Sequence, residues 1–396
     1  MVFFASLFAS NSTFWPYRIQ TFSELALLET REVLSEVGIS PQISLLSLQI
    51  EQTILEFILQ HGYLGSIIVV QNGQTIFAQG FGKSRPGAVN EPHTTHRWES
   101  ITKLFTAVAM LQLSEMGLVD LDVSITTYLP EYANPVLYPG FAGTPVVSIR
   151  SLLAMKSGIA DFPDEGKNWL DRPPNITDIA NYVAVLPRSN IGQWNYINSG
   201  FSICALILGR IVDSSRNPSL VYQEFLQENI FTPAGMSTAF APYFVAQDIT
   251  DAQGHTYDQE GNLQAIGINF FPSYTSMRVG TGNINGSVLD FQKFTVALNG
   301  GSLISQANLT MMLDQYLGGW VPPTDPHYAN GHYFMEKDGG LPGQWSYYMR
   351  FENNTMIFIT ANVDPRGLNS SAGVNPKDTI EYLGLQIGEL LFPNPP

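Results

Sequence analysis

The spacing of apolar positions changes character along this chain. From Ile43 to about Gln60 it is helical. Ser66–Gln71 (SIIVVQ) is a short β-rich run, Asn72-Gly73 is a favoured two-residue hairpin turn, and Gln74–Phe81 returns as a second strand. Near the other end, Trp345–Phe351 and Thr355–Ala361 predict another strand pair around Glu352-Asn353-Asn354. A helix follows at about Lys377–Leu391, with Ile380, Leu383, Leu385, Ile387 and Leu390 on or near one face. The middle is mostly helical. Ile101, Leu104, Phe105, Val108 and Leu111 predict a helix from about Glu99 to Met116, ended by Gly117, and a second apolar helix covers about Gly200–Ser214. Residues 1–42 read as an N-terminal extension, in which Thr21 and Glu24 form a capping box for a helix carrying Leu25, Leu28, Val33 and Val37. Strands come from both ends and helices from the middle. The fold class expected is therefore α/β (α+β): an antiparallel sheet flanked by the terminal helices, with a helical lobe at about residues 99–300 inserted into a domain of residues 43–396.

Composition narrows the function classes. Apolar residues make up 44% and charged residues 13%, so the chain buries a sizeable core. The formal charge is −15 with no basic run, which argues against nucleic acid or an anionic membrane surface as partner. The single cysteine, Cys204, forms no intramolecular disulfide, and its apolar surroundings read as core. A Cys-ligated metal site is excluded and no H-E-x-x-H pattern occurs, so no metal or cofactor is implied. No apolar stretch reaches the ~18 residues of a membrane span. The N-terminal MVFFASLFAS lacks a basic flank and fits either a signal-peptide remnant or a hydrophobic arm. Sequons at Asn11, Asn175, Asn285, Asn308, Asn353 and Asn369 allow N-glycans if the protein is secreted; secreted and cytoplasmic locations both stay open.

Three short segments carry candidate chemistry. In Ser100-Ile101-Thr102-Lys103 the serine and lysine share a helix face. A serine hydroxyl needs a base to become a nucleophile, and a lysine in a poorly solvated place has its pKa lowered enough to help. In Tyr196-Ile197-Asn198, residues two apart in an extended or loop segment point the same way. A tyrosine near a lysine can give and take protons, and the asparagine supplies a donor and an acceptor. In Lys337-Asp338-Gly339-Gly340, just before the strand Trp345–Phe351, a strand edge with glycines allows close approach of a substrate to the backbone. The N–H groups of Gly340 and Ser100 then form an oxyanion site.

Taken in order, S-x-x-K, Y-x-N and the K-T-G-like triplet resemble the serine β-lactamase and penicillin-binding-protein family, in its class C β-lactamase and family VIII esterase-like branch. The spacings of 96 residues from Ser100 to Tyr196 and 141 from Tyr196 to Lys337 are similar to that branch. Ile149–Ala160, Asn229–Thr238 and Gly282–Leu303 resemble further family segments, and the likeness covers about residues 45–392. The resemblance implies a β-lactamase/transpeptidase-like fold. It implies Ser100 as acylated nucleophile, Lys103 and Tyr196 as the proton-transfer pair, Asn198 in contact with lysine and substrate, and Lys337, Gly339 and Gly340 along the substrate. Two positions depart from the pattern. Met155 replaces a frequent histidine. Asp338 replaces a hydroxyl residue or glycine and would repel an anionic substrate, which points away from penicillins.

The function expected is a serine hydrolase acting on a small-molecule ester or amide. An acyltransferase with the same acyl-enzyme, and a non-catalytic family member, are the alternatives. The absence of G-x-S-x-G sets the chain apart from α/β-hydrolases. Trp169, Tyr182, Trp194, Phe270, Phe271, Tyr274 and Trp320 are the aromatic supply for an apolar pocket or for the core.

Overall fold

The computed structural model describes residues 41–163, 174–242, 252–258, 262–266, 274–320, 328–364 and 379–393. The chain divides into two compact units, Met1–Gln52 and Thr53–Pro396. Of the first, the described residues are the beginning of helix α1 (Pro41–His61), which runs on into the second. The helix expected around Thr21 and Glu24 lies outside the described residues.

After α1 come strands β1 (Gly65–Gln71) and β2 (Gln74–Phe81). Asn72 and Gly73 join them with φ of 51° and 79°, the left-handed pair that a type I′ turn requires. Strand β3 (His96–Arg97) leads into helices α2 (Thr102–Glu115), α3 (Ile176–Ala184), α4 (Ser199–Val212) and α5 (Pro218–Leu226). Strand β4 (Asn285–Gly286) pairs back onto β3 and precedes helix α6 (Val288–Asn299). Strands β5 (Tyr328–Ala329), β6 (His332–Leu341), β7 (Gln344–Phe351) and β8 (Met356–Ala361) follow, then helix α7 (Ile380–Leu391). The antiparallel sheet has the order β2-β1-β8-β7-β6-β5. The first and last long strands thus meet in its middle, with Gly65 opposite Ala361. This is the α/β arrangement that the periodicity predicts, with the helices inserted between two groups of strands.

The central strands are apolar at almost every position because both sheet faces are covered. On one face α6 packs on β1 and β8, and Phe291 stacks on Phe358 at 3.9 Å between ring centroids. On the other face α7 packs on β7 and β8. Helix α2 has no polar stripe: every residue from Thr102 to Leu113 is buried, against α4, α5 and the aromatic cluster Trp98, Phe105 and Phe294. Each such aromatic contributes about 1.5–3 kcal/mol by leaving water. The consequence for chemistry is that Lys103, the second residue of this helix, is carried into the interior.

The connection into α6 is tied by one buried carboxylate. Asp290 accepts from the backbone N–H groups of Ser237 and Thr238, from the Thr238 hydroxyl and from Lys293 Nζ. Cys204 is fully buried in α4 and burial pushes its thiol up, so it is packing material as expected. No helix among the described residues is long and apolar enough to cross a membrane.

Candidate active site

Residues Glu99–Ile101 form one 3-10 turn that relaxes into α2 at Thr102, where the sequence pattern runs a single α-helix from Glu99. The tightening accompanies a fixed approach. The Trp98 N–H donates to the Ile284 carbonyl at 3.0 Å and its indole is fully buried. Ser100 follows on this turn. Its Oγ lies 2.8 Å from Lys103 Nζ and 2.6 Å from Tyr196 Oη, which comes from the loop before α4.

Lys103 Nζ also donates to the Thr281 carbonyl at 3.1 Å. It stands 5.0 Å from the centroid of the Tyr196 ring and 5.8 Å from that of Phe201. Lys337 Nζ, from β6, reaches the same Tyr196 ring at 5.2 Å. Both lysines are fully buried while Tyr196 is 37% exposed, so the phenol reaches solvent and the two ammonium groups do not.

Burial pushes Lys103 below the ordinary lysine value; Tyr196 opposes this and the neighbouring Lys337 charge assists it. Burial alone would raise the Tyr196 phenol. The Lys103 and Lys337 charges, with hydrogen bonding to Lys103 and Ser100, outweigh burial and hold it below the ordinary tyrosine value. Both groups therefore exchange a proton more readily near neutral pH than they would in water.

The Tyr196 loop is pinned by Asp161. Its carboxylate accepts from the N–H groups of Asn198 and Ser199 and from the Ser199 hydroxyl at 2.7–3.1 Å. Met155 is buried at φ +56°, and its carbonyl accepts from Asn195 N–H at 2.9 Å, so this position shapes the loop. Asn198 has helical φ and ψ of −83° and −39° as the residue capping α4. The alternation rule of extended chain consequently does not apply between it and Tyr196. Among the described residues, Lys103 Nζ is held by Ser100 and Thr281, and no hydrogen bond joins it to Asn198.

Lys337–Gly340 sits inside the ten-residue strand β6, opposite Trp345–Tyr348 of β7, as the strand edge that its glycines suggest. Strand β5 pairs only with His332 and Tyr333. From Lys337 onward the outer edge of β6 has no strand partner among the described residues, and this edge runs past the Ser100 turn. Gly339 is what lets it do so: a Cβ there would fall 2.3 Å from the Trp98 carbonyl oxygen and 2.8 Å from Ser100 N. Gly340 lies against the Trp345 ring, 2.4 Å from where its Cβ would be.

Lys337 Nζ donates to the Asp338 carbonyl at 2.9 Å and approaches Asp338 Oδ1 at 3.4 Å. The Asp338 side chain is 51% exposed. What burial it has would raise its carboxyl, but Lys337 and the hydrogen bonds hold it below the usual carboxylate range.

Of the aromatic supply, Trp320 is core, 2% exposed with its ring 5.5 Å from that of Tyr348. Trp194 is half-buried with its ring 6.5 Å from that of Tyr196. Tyr182 packs half-buried against the main core. Trp169, Phe270, Phe271 and the Tyr274 side chain lie outside the described residues. Two participants carried no sequence signal: Thr281 acts through its backbone carbonyl, and Asp161 acts on backbone N–H groups. Among the described residues no group of three or more His, Cys, Asp or Glu side chains could hold a metal ion.

The Beta-lactamase family profile matches residues 50–376. PbpX of Bacillus subtilis (strain 168), which carries a penicillin-binding-protein name, is 28% identical over 298 residues, covering 74% of this chain and 68% of that protein. The D-amino acid amidase from Ochrobactrum anthropi SV3, solved with D-phenylalanine, superimposes with a TM-score of 0.68 at 19% identity, over 87% of this chain and 98% of that one. The octameric penicillin-binding protein homologue from Pyrococcus abyssi gives 0.67 at 21% identity, over 87% and 77%. At these identities the two structures speak for the fold, which is β-lactamase/transpeptidase-like. With the profile spanning most of its length, the chain belongs to the Beta-lactamase family.

Proposed function

We propose that this protein is a serine hydrolase of small-molecule esters or amides that works through an acyl-enzyme on Ser100. The observation that carries this reading is Ser100 Oγ held at hydrogen-bond distance from both Lys103 Nζ and Tyr196 Oη, beside a glycine-lined strand edge. In the first step Oγ attacks the acyl carbon and its proton passes to the Lys103–Tyr196 pair. The carbonyl oxygen becomes an oxyanion, received by the N–H groups of Ser100 and Gly340. The C–O or C–N bond to the leaving group then breaks, and the pair returns the proton to that group. In the second step the pair takes a proton from water, the hydroxide oxygen attacks the acyl carbon, and Ser100 Oγ leaves with the proton. Lys337 lends positive charge near Tyr196, its Nζ 5.2 Å from the ring centroid.

An acyltransferase would differ only in letting an alcohol or amine replace that water. Incubating the enzyme with a p-nitrophenyl ester and a graded series of short alcohols separates the two. Hydrolysis predicts the free acid as main product at every alcohol concentration. Ester formation that overtakes acid at millimolar alcohol would replace hydrolase by transferase, and no turnover of any ester or amide would remove both.

Asp338 sets the charge preference. Lys337, the cation that could attract a substrate carboxylate, is fully buried and its Nζ is turned to Asp338, whereas the Asp338 carboxylate faces solvent. Replacing Asp338 by Thr is expected to raise acylation by an anionic fluorescent penicillin relative to a neutral ester by about tenfold, equivalent to ~1.4 kcal/mol of like-charge repulsion. Gel fluorescence against ester turnover reads the ratio. An unchanged ratio would remove Asp338 from selectivity.

A further inference from the structure

A buried ion pair stands directly behind the nucleophile. Glu99, the residue before Ser100, has φ of +49° and a side chain 1% exposed. Its Oε2 meets Arg278 Nη1 at 2.5 Å, and the Arg278 side chain is 11% exposed. A left-handed conformation at a residue that is neither Gly, Asn nor Asp costs energy and persists only where its surroundings impose it.

Those surroundings are the segment Arg278–Ile284. The Arg278 carbonyl accepts from the N–H groups of Thr281 and Gly282 at 2.9 and 2.8 Å. The Thr281 carbonyl in turn receives Lys103 Nζ. At the far end, Ile284 N–H donates to Thr102 Oγ1 and the Ile284 carbonyl accepts from Trp98 N–H, both at 3.0 Å. The segment therefore grips Trp98, Glu99, Thr102 and Lys103, the residues on either side of Ser100. Gly282 leaves room for the pair: a Cβ there would lie 2.9 Å from Arg278 Nη1 and 3.1 Å from Glu99 Oε2.

We propose that Glu99 and Arg278 are positioning residues, a clamp that holds the left-handed turn presenting Ser100 Oγ to Lys103 and Tyr196 and keeps the Thr281 carbonyl on Lys103. The clamp rests on Ser100 being the nucleophile. It acts through geometry and touches no substrate. A displacement of Oγ by about 1 Å is enough to slow acylation by about 10²-fold.

The test is the rate at which a fluorophosphonate labels Ser100, per folded molecule and well below each variant's melting temperature, alongside kcat and KM for a p-nitrophenyl ester. Glu99→Gln and Arg278→Gln are each expected to lower the labelling rate and kcat by about 10²-fold with KM within about threefold. The double variant, which leaves no unpaired buried charge and so keeps the test available if a single variant fails to fold, is expected to be no slower than the slower single. Gly282→Ala, which removes no charge, should slow labelling in the same direction by displacing the guanidinium. Glu99→Gly separates clamp from conformation, because glycine adopts φ of +49° freely. It should stay slow. Wild-type labelling in Glu99→Gly or in the double variant would overturn the clamp while leaving Ser100 in place. A wild type that does not label, or a label that survives Ser100→Ala, would instead overturn the nucleophile assignment and the clamp with it.

Discussion

Replacing Ser100 by Ala is expected to abolish the single fluorophosphonate adduct seen by intact mass and to lower ester turnover by at least ~10⁴-fold, the loss typical of a deleted nucleophile. The size follows from the surroundings. Ser100 Oγ is in contact with both proton-handling groups, and the one thiol of the chain is sealed in the core with its proton held tightly. That thiol therefore offers no substitute nucleophile. The fold should survive. Among the described residues the hydroxyl hydrogen-bonds to Lys103 Nζ, which retains the Thr281 carbonyl, and to Tyr196 Oη, whose side chain reaches solvent. The melting temperature is expected to stay within about 4 °C of wild type, a change of roughly 1 kcal/mol or less. An adduct of unchanged mass in Ser100→Ala would place the nucleophile elsewhere.

How much of this was legible in the chain depends on whether the governing interaction is local. The Asn72-Gly73 hairpin is, because turn chemistry lies in two adjacent residues. The central strands are legible as unbroken apolar runs, and α2 as a helix from its spacing. The start of α2 is different. Nothing at Glu99, a residue without the usual preference for positive φ, announces a left-handed turn; it is imposed by Arg278, 179 residues further on. Lys337–Gly340 contains charge and two glycines, a composition with weak strand preference, although its place before Trp345 already suggests a strand edge. Pairing with β7 overrides that weak preference and makes it strand. Asn198 shows the converse: an extended-chain rule applied to Tyr-x-Asn fails because helix α4 begins at Ser199. Residue types at the candidate site are legible, while the backbone groups that orient them, such as the Thr281 carbonyl, leave no trace in the alphabet.

Replacing Lys103 by Met should separate catalysis from stability in opposite directions. Met preserves length and removes the buried ammonium. Acylation and kcat/KM for a neutral ester are expected to fall by about 10³-fold, within the range a positioned proton acceptor supplies. The pH profile supplies the specific signature. In the wild type, activity rises with pH as the Lys103–Tyr196 pair loses a proton, at values held below those of free lysine and tyrosine. Without the Lys103 charge, burial lifts the Tyr196 phenol against Lys337 alone. The residual activity must then rise at higher pH than in the wild type. Stability moves the other way. The Lys103 pKa is depressed by folding, so the folded protein carries the cost of a buried ammonium at every pH below that depressed value. The gain in melting temperature on Lys103→Met is therefore fully present at low pH and fades between the depressed value and the ordinary lysine pKa. A variant that keeps activity within tenfold of wild type, with an unshifted limb, would show that Tyr196 handles the proton without Lys103. A variant less stable than wild type at acid pH would show that the ammonium holds the fold together, contrary to what its burial among Ser100, Thr281, Tyr196 and Phe201 implies.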